Sequence, residues 1–295
     1  MAMKQYLGDV LLLITAVVWG SGFVVTAIAL EHLTAYQVMA GRFVLATLIL
    51  CVLFHRKLRT LSRSVLWKGA VLGTILFVAF ALQTVGLEYT TPSKNAFITA
   101  VNVVIVPVIA YLVFKRRIDR HEGLGSVLAL AGIGFMSLQG SMTINIGDFL
   151  TLLCAVGFAF DIFYTNLFVK KEDALSLTIV QFATASILSV GAVLVLGEVP
   201  AGLNGAAIWP VVYLAVFSTT IAYVCQNIAF RYTTPTKAAV ILSLESFFGT
   251  AMSVLFLHEV LTGRMVLGAV LILTAILIAE LKPAFKFRPK IRPEH

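Results

Sequence analysis

Apolar residues along the chain gather into blocks of about 20, each bounded by a few charges, glycines or prolines. Ten such blocks fall near 7–30, 35–54, 68–87, 94–114, 123–140, 147–169, 175–197, 208–230, 237–257 and 264–281. A stretch of that length crosses a hydrocarbon layer ~30 Å thick as a helix. Lipid cannot satisfy open backbone groups, so every block is predicted helical. The expected fold class is therefore an all-α integral membrane protein of ten transmembrane helices. The first block follows Lys4 and runs to Leu30, longer than a signal-peptide core, and no small-residue cleavage site follows it. It is expected to remain as the first span. The connections are too short to hold a soluble domain.

Composition supports this reading and adds a direction. Of the residues, 60% are hydrophobic and 12% charged, and the mean hydropathy is +0.98. A soluble chain of this size still needs a wetted polar shell, which this one lacks. Counting alternate loops, nineteen of the 22 Lys and Arg residues fall on the side of the N-terminus. Two, Lys94 and Arg264, fall on the other, and Arg42 lies within a span. Positive residues stay on the cytoplasmic side, so both termini are predicted there. The net charge of +8 is thus a topology signal. Scattered over short loops, these cations form no nucleic-acid-binding module. Cys51, Cys154 and Cys225 lie inside apolar blocks, with no disulfide framework and no metal spacing.

The chain also repeats itself. "YTTPSK" at 89–94 returns as "YTTPTK" at 232–237, 143 positions later. From Gln83 to Ile98 against Gln226 to Ile241, eight of sixteen residues are identical. The register reaches Leu124-Gly125 against Leu267-Gly268, and "GDVLLLITAV" at Gly8 faces "GDFLTLLCAV" at Gly147. The domains predicted are a first five-helix unit over 1–140, a second over 141–281, and a basic cytoplasmic tail over 282–295. Five is odd, so the second unit crosses in the opposite sense, giving inverted-topology repeats. Glu88, expected outside, aligns with Arg231, expected inside. Thr91 and Thr234 suit N-caps, and Pro92 and Pro235 suit first helical positions. Lys94 and Lys237 are expected to anchor at the headgroups.

These features, with "WGSGFV" in span 1, "GRF" in span 2 and "SLESFFGTAMSVLFLHEVLTG" across spans 9–10, resemble the drug/metabolite transporter superfamily, in particular its EamA-domain branch. The resemblance covers nearly the whole chain. It implies an exporter of small metabolites, amino acids among them, in the bacterial cytoplasmic membrane. It also implies alternating access around a central cavity lined mainly by spans 1, 3, 4, 6, 8 and 9. Members of that branch commonly carry Gly-Glu at the foot of each repeat's fourth helix. This chain has His258-Glu259 in the second copy and Lys115-Arg116 in the first.

Three charges are placed inside spans, where each costs roughly 2.5–3.5 kcal/mol and needs a partner or a job. They are Arg42, Asp161 and Glu245. Asp161 and Glu245 are expected at similar depth, with Arg42 about a turn higher. Either acid is a candidate site for a proton or a cationic substrate group; in the other reading, one of them pairs with Arg42 and locks the bundle. Gln83 and its repeat mate Gln226, with Asn227, Asn95 and Asn102, are candidate cavity residues or interhelical hydrogen bonds. Trp19, Phe23, Phe160, Tyr164 and Tyr223 are candidate walls for a partly apolar solute. Gly125, Ala129 and Gly132 form a small-residue stripe on span 5, as Gly268, Ala275 and Ala279 do on span 10. Both suit close helix approach, within one chain or between two. Gly20 and Gly22 are expected to let span 1 flex, and Pro107 to kink span 4.

The expected partners are a small-molecule substrate, the lipid bilayer and a proton as coupling ion, in a monomer or homodimer, with no cofactor, metal or nucleic acid. A sugar-phosphate or nucleotide-sugar exchanger would want several cations at cavity depth, and only Arg42 is available. An intramembrane enzyme would want a recognised catalytic cluster. His32, His55, His121, His258 and His295 are isolated, and there is no phosphate-binding G-x-x-x-x-G-K-[ST].

Overall fold

The computed structural model describes residues 2–115, 117–137, 145–200, 202, 204–229, 232–233 and 235–282. For residues 2–5, 114, 235 and 236 it describes the backbone alone. Arg116, Arg231, Thr234, His295 and the rest of the basic tail from 283 lie outside the described residues, as does the expected domain junction at 140/141.

The described residues contain no strand. The helices are α1 (Ala2–Leu30), α2 (Ala35–Leu53), α3 (His55–Leu58), α4 (Arg63–Leu87), α5 (Pro92–Ala100), α6 (Asn102–Phe114), α7 (Arg120–Ser137), α8 (Ile146–Phe168), α9 (Ala174–Val195), α10 (Gly205–Tyr213), α11 (Ala222–Ala229), α12 (Pro235–Leu257) and α13 (Gly263–Leu281). A π-helical segment, Leu214–Ile221, joins α10 to α11. Among the described residues, nine helical stretches are long and apolar enough to cross a membrane. The remaining long helix, α7, begins with Arg120, His121 and Glu122, and so is more polar at its start.

Side chains that hold free N–H groups set where many helices begin. Thr34 and Gln37 form a reciprocal capping box on α2. Ser62, Thr91, Asn145, Asp173, Asn204 and Thr262 cap α4, α5, α8, α9, α10 and α13. The Ser62 cap starts α4 at residue 63, earlier than hydropathy placed it, because the long stems of Arg63 and Lys68 let charged residues ride on the first turns. Lys115 and His258, repeat mates at the ends of α6 and α12, are both left-handed, with φ of 55° and 54°. Glycine adopts that conformation without strain, which accounts for the Gly-Glu pattern at this point.

Two expectations about backbone shape are corrected, and one feature was not foreseen. The break in span 4 lies at Val101, between α5 and α6, while Pro107 sits inside α6. Proline lacks the N–H that would reach residue 103, and the disturbance is taken up in the preceding turn, where the Val101 N–H bonds Ile98 at 3.2 Å. Span 1 is unbroken, and Gly20 serves contact instead of bending. A Cβ at Gly20 would lie 2.7 Å from the Gly249 N and 2.8 Å from the Glu245 O, so α1 and α12 touch backbone to backbone. The π-helical segment in span 8 carries no glycine or proline to announce it.

The two small-residue stripes meet within this one chain. A Cβ at Gly125 would come within 2.9 Å of the Ala275 O, and one at Gly268 within 2.6 Å of the Gly132 O. Phe97, Ile98, Val101 and Val104 pack against this α7–α13 pair. Elsewhere α2, α4 and α9 pack through Phe43, Phe80, Phe182 and Leu76. Lipid is as apolar as these side chains, so close fit and interhelical hydrogen bonds hold the bundle together.

Lys94 and Lys237, expected at the headgroups, each hold an aspartate of the other copy. Lys94 Nζ pairs with Asp148 Oδ2 at 3.3 Å, and Lys237 Nζ with Asp9 Oδ2 at 2.5 Å. Thr90 donates to Asp148, and Thr233 donates to Asp9 at 3.4 Å. Each copy's Thr-Thr-Pro-x-Lys turn thus grips the other copy's Gly-Asp. The glycine of each Gly-Asp allows the approach, since a Cβ at Gly147 would lie 2.5 Å from the Gly86 O.

Candidate functional site

A cavity of about 920 Å³ lies among α1, α2, α4, α5, α6, α8, α9, the π-helical segment, α11 and α12. Its inner end is closed by buried residues, including Thr26, Leu87 and Asn95. At the other end it reaches the exposed residues Asp173 and Lys282. It therefore opens toward the connection between α8 and α9 and the end of α13. The far end is held shut by contacts across helix termini. Ser93 gives its hydroxyl to Glu259 Oε2 at 2.7 Å and its N–H to the same oxygen at 3.3 Å, and Ser253 donates there too. Nearby, Thr34 Oγ1 donates to Glu198 Oε2 at 2.5 Å, and Gln37 Nε2 to the Glu198 carbonyl at 2.5 Å.

Eleven of the thirteen residues singled out from the sequence line this cavity: Trp19, Phe23, Arg42, Gln83, Asn95, Asn102, Asp161, Tyr223, Gln226, Asn227 and Glu245. Phe160 and Tyr164 do not. They stack on each other at 6.4 Å and pack with Ile109 and Ala110 on the other side of α8. With 3.6 residues per turn, Phe158, Asp161, Ile162 and Thr165 share the inner face, which excludes positions 160 and 164.

The polar residues are held in place by a neighbouring network. Asn95 Nδ2 donates to Thr151 Oγ1 at 2.9 Å and to the Gln83 carbonyl at 3.1 Å. Gln83 Nε2 donates to Thr99 Oγ1 at 3.1 Å, and Asn227 Nδ2 to Thr178 Oγ1 at 3.3 Å. The buried Asn95 Oδ1 has no hydrogen-bond partner among the described residues. Trp19 Nε1 donates to the Ser218 carbonyl of the π-helical segment at 2.9 Å, and its ring meets Tyr223 edge-on at 5.4 Å. π-Helical turns widen a helix locally and recur at functional sites. Here the turn brings Ser218 and Thr219 toward α1 and α2.

Arg42 is fixed by that same turn. Its Nε and Nη2 donate to Thr219 Oγ1 at 3.2 and 3.1 Å, and its guanidinium carbon lies 4.5 Å from the centre of the Phe80 ring. Among the described residues it makes no ion pair with Asp161 or Glu245. The expected lock through one of these acids is replaced by hydroxyl and ring contacts, which a buried guanidinium accepts through its planar fork and face. Asp161 Oδ1 accepts from Gln181 Nε2 at 2.8 Å. Gln181 was missed in the sequence, although a glutamine inside "TIVQFATA" is the same signal that marked Gln83.

Comparison with known proteins agrees with this architecture. The model of the EamA-like transporter family matches residues 6–138 and again 145–281. An uncharacterized transporter of Archaeoglobus fulgidus is 35% identical over 279 residues, covering 95% of this chain and 87% of that one. A protein of Escherichia coli named a probable amino-acid metabolite efflux pump is 26% identical, with 91% of this chain and 93% of that one aligned. A crystal structure at 16% identity superimposes with a TM-score of 0.67 over 93% of this chain and 98% of that one, which speaks for the fold alone. The apolar helices, the two matched repeats and this similarity together make the chain a multi-pass membrane protein that belongs to the EamA-like transporter family.

Proposed function

We propose that the protein is a secondary-active exporter of small metabolites, amino acids or related compounds, working by alternating access. The observation that carries this reading is the cavity itself. It is deep, open at one end only, large enough for a metabolite, and walled by polar and aromatic residues from both copies. Two relatives named probable amino-acid metabolite efflux pumps, from Escherichia coli and Salmonella typhimurium, support the substrate class. A phosphate-bearing substrate fits poorly, since Arg42 is the one cation at depth among the described lining residues.

In this reading α7 is span 5 and completes the set of ten, and the copies over 1–140 and 141–281 are inverted around the cavity. The lysine-rich loops and the tail over 282–295 face the cytoplasm, in the inner membrane. The cavity mouth lies on that same face, so the conformation described is open inward. One chain encloses the whole cavity, which supports a monomer as the transporting unit. Asp161 and Glu245 are the groups placed to exchange a coupling proton with the cavity. Efflux of labelled amino acids from right-side-out and inverted vesicles, at two pH gradients, tests the proposal. Asp161→Asn and Glu245→Gln are expected to slow pH-driven efflux about 100-fold, as loss of an essential proton carrier does. Wild-type rates in both variants would remove the proton from the mechanism.

A further inference from the structure

The cavity wall and the rest of the molecule differ in charge. The chain carries a net charge of +8. Among the described residues lining the cavity, however, six are carboxylates, at Glu122, Asp161, Glu172, Asp173, Glu245 and Glu280, and two are cations, at Arg42 and Lys282. Some of these acids are answered locally. Lys68 and Lys57, set behind the wall, pair with Glu172 at 2.5 Å and Asp173 at 3.0 Å. Lys282 pairs with Glu122 at 3.0 Å and also with Asp119. That leaves Asp161 and Glu245 deep in the cavity against Arg42, while Glu280 stands near Lys282 at the mouth.

Arg42 does little to offset them at short range. Its nitrogens are directed at Thr219 and Ser218, and its face lies on Phe80. Asp161 is 8% exposed; one carboxylate oxygen takes the Gln181 amide, and the other has no partner among the described residues. The Glu245 carboxylate, on the opposite helix, makes no hydrogen bond or ion pair among them either. Trp19, Phe158 and Tyr223 stand along the same wall. The negative faces of such rings attract organic cations. A cleft with low-dielectric walls and one excess sign concentrates ions of the opposite sign.

We infer that the transported solute is an organic cation, an aliphatic amine or guanidine with net positive charge, bound between Asp161 and Glu245. The inference rests on the transport reading above and narrows its substrate class. An anion would meet uncompensated carboxylates. A neutral zwitterion would have Arg42 for its carboxylate, but that guanidinium is already engaged.

Four probes of matched chain separate charge from size: lysine, cadaverine, norleucine and glutamate. In proteoliposomes, lysine and cadaverine are expected to move at least about tenfold faster than norleucine and glutamate. Glu245→Gln and Asp161→Asn should each shrink that preference. Glu280→Gln, at the mouth, should weaken the dependence of cadaverine flux on ionic strength. Norleucine or glutamate moving as fast as lysine would overturn the cation assignment and leave the transport reading intact. Thermal unfolding of the detergent-solubilised full chain gives a readout without flux. Cadaverine should raise the midpoint and norleucine should not. A shift without flux of any probe would keep the cation site and overturn transport. The absence of both shift and flux with cadaverine would overturn the cation site.

Discussion

Asp9 and Asp148 each take a lysine and a threonine from the opposite copy. Asp148 is 1% exposed, so removing either partner would leave a buried carboxyl with fewer contacts. The sequence displayed both members of this arrangement, as the two Gly-Asp pairs and the two Thr-Thr-Pro-x-Lys turns. It did not connect them, since the contact joins residues that no local spacing relates. Titrating residues outside the spans act in opposite senses. Lys282, with the N–H of Glu122, holds Asp119 down to about 2. Its contribution is therefore present above the ordinary carboxylate range and is lost as pH falls toward that value. Burial pushes Glu88 up, partly offset by the Ala35 N–H and increased by Glu198. The folded state then holds this proton more tightly than the unfolded chain, so the penalty appears as pH rises through the raised value. Glu88→Gln should raise the melting temperature at pH 8 and leave it unchanged at pH 4. The gain should be small, about 0.5 kcal/mol, because water screens this exposed group. An equal shift at both pH values would assign the effect to something other than charge.

At the scale of elements, hydropathy marked the spans well because length and apolarity are properties of the chain alone. Rotation of a helix about its axis is different. The spacing of Phe160 and Tyr164 was visible, but which side of α8 faces inward depends on helices far away in sequence. The π-helical segment was hidden for the same reason, since its hydroxyls are used by Arg42 from α2 and its Ser218 carbonyl by Trp19 from α1. Glycines make the clearest test of contact between elements. Gly20→Ala should cost about 1–3 kcal/mol, because its new methyl meets α12 backbone that cannot move aside. Gly123 in α7 has open space around it, and Gly123→Ala should be neutral or gain up to about 1 kcal/mol from helix propensity. Thermal unfolding of both variants in one detergent checks the pair. A harmless Gly20→Ala would mean that α1 and α12 are not packed this closely.

At the scale of the molecule, the repeat was the most informative feature of the sequence. It announced two related units, and their meeting place is where the polar residues gather. The small-residue stripes on spans 5 and 10 left open whether they join helices of one chain or of two; they face each other here, at the α7–α13 seam. What remained out of reach from the sequence was the state of the pathway, because an open mouth and a closed far end are properties of packed termini. The central claim is that one copy is the other inverted across the bilayer. Tyr89 and Tyr232 are repeat mates in the two turns and both are exposed. Tyr89→Cys and Tyr232→Cys, each in a background free of Cys51, Cys154 and Cys225, can be labelled with an impermeant maleimide in sealed vesicles of both orientations. Residue 89 should react only from outside and residue 232 only from the cytoplasmic side. Labelling of both from the same side would contradict the inverted arrangement and the alternating pathway built on it.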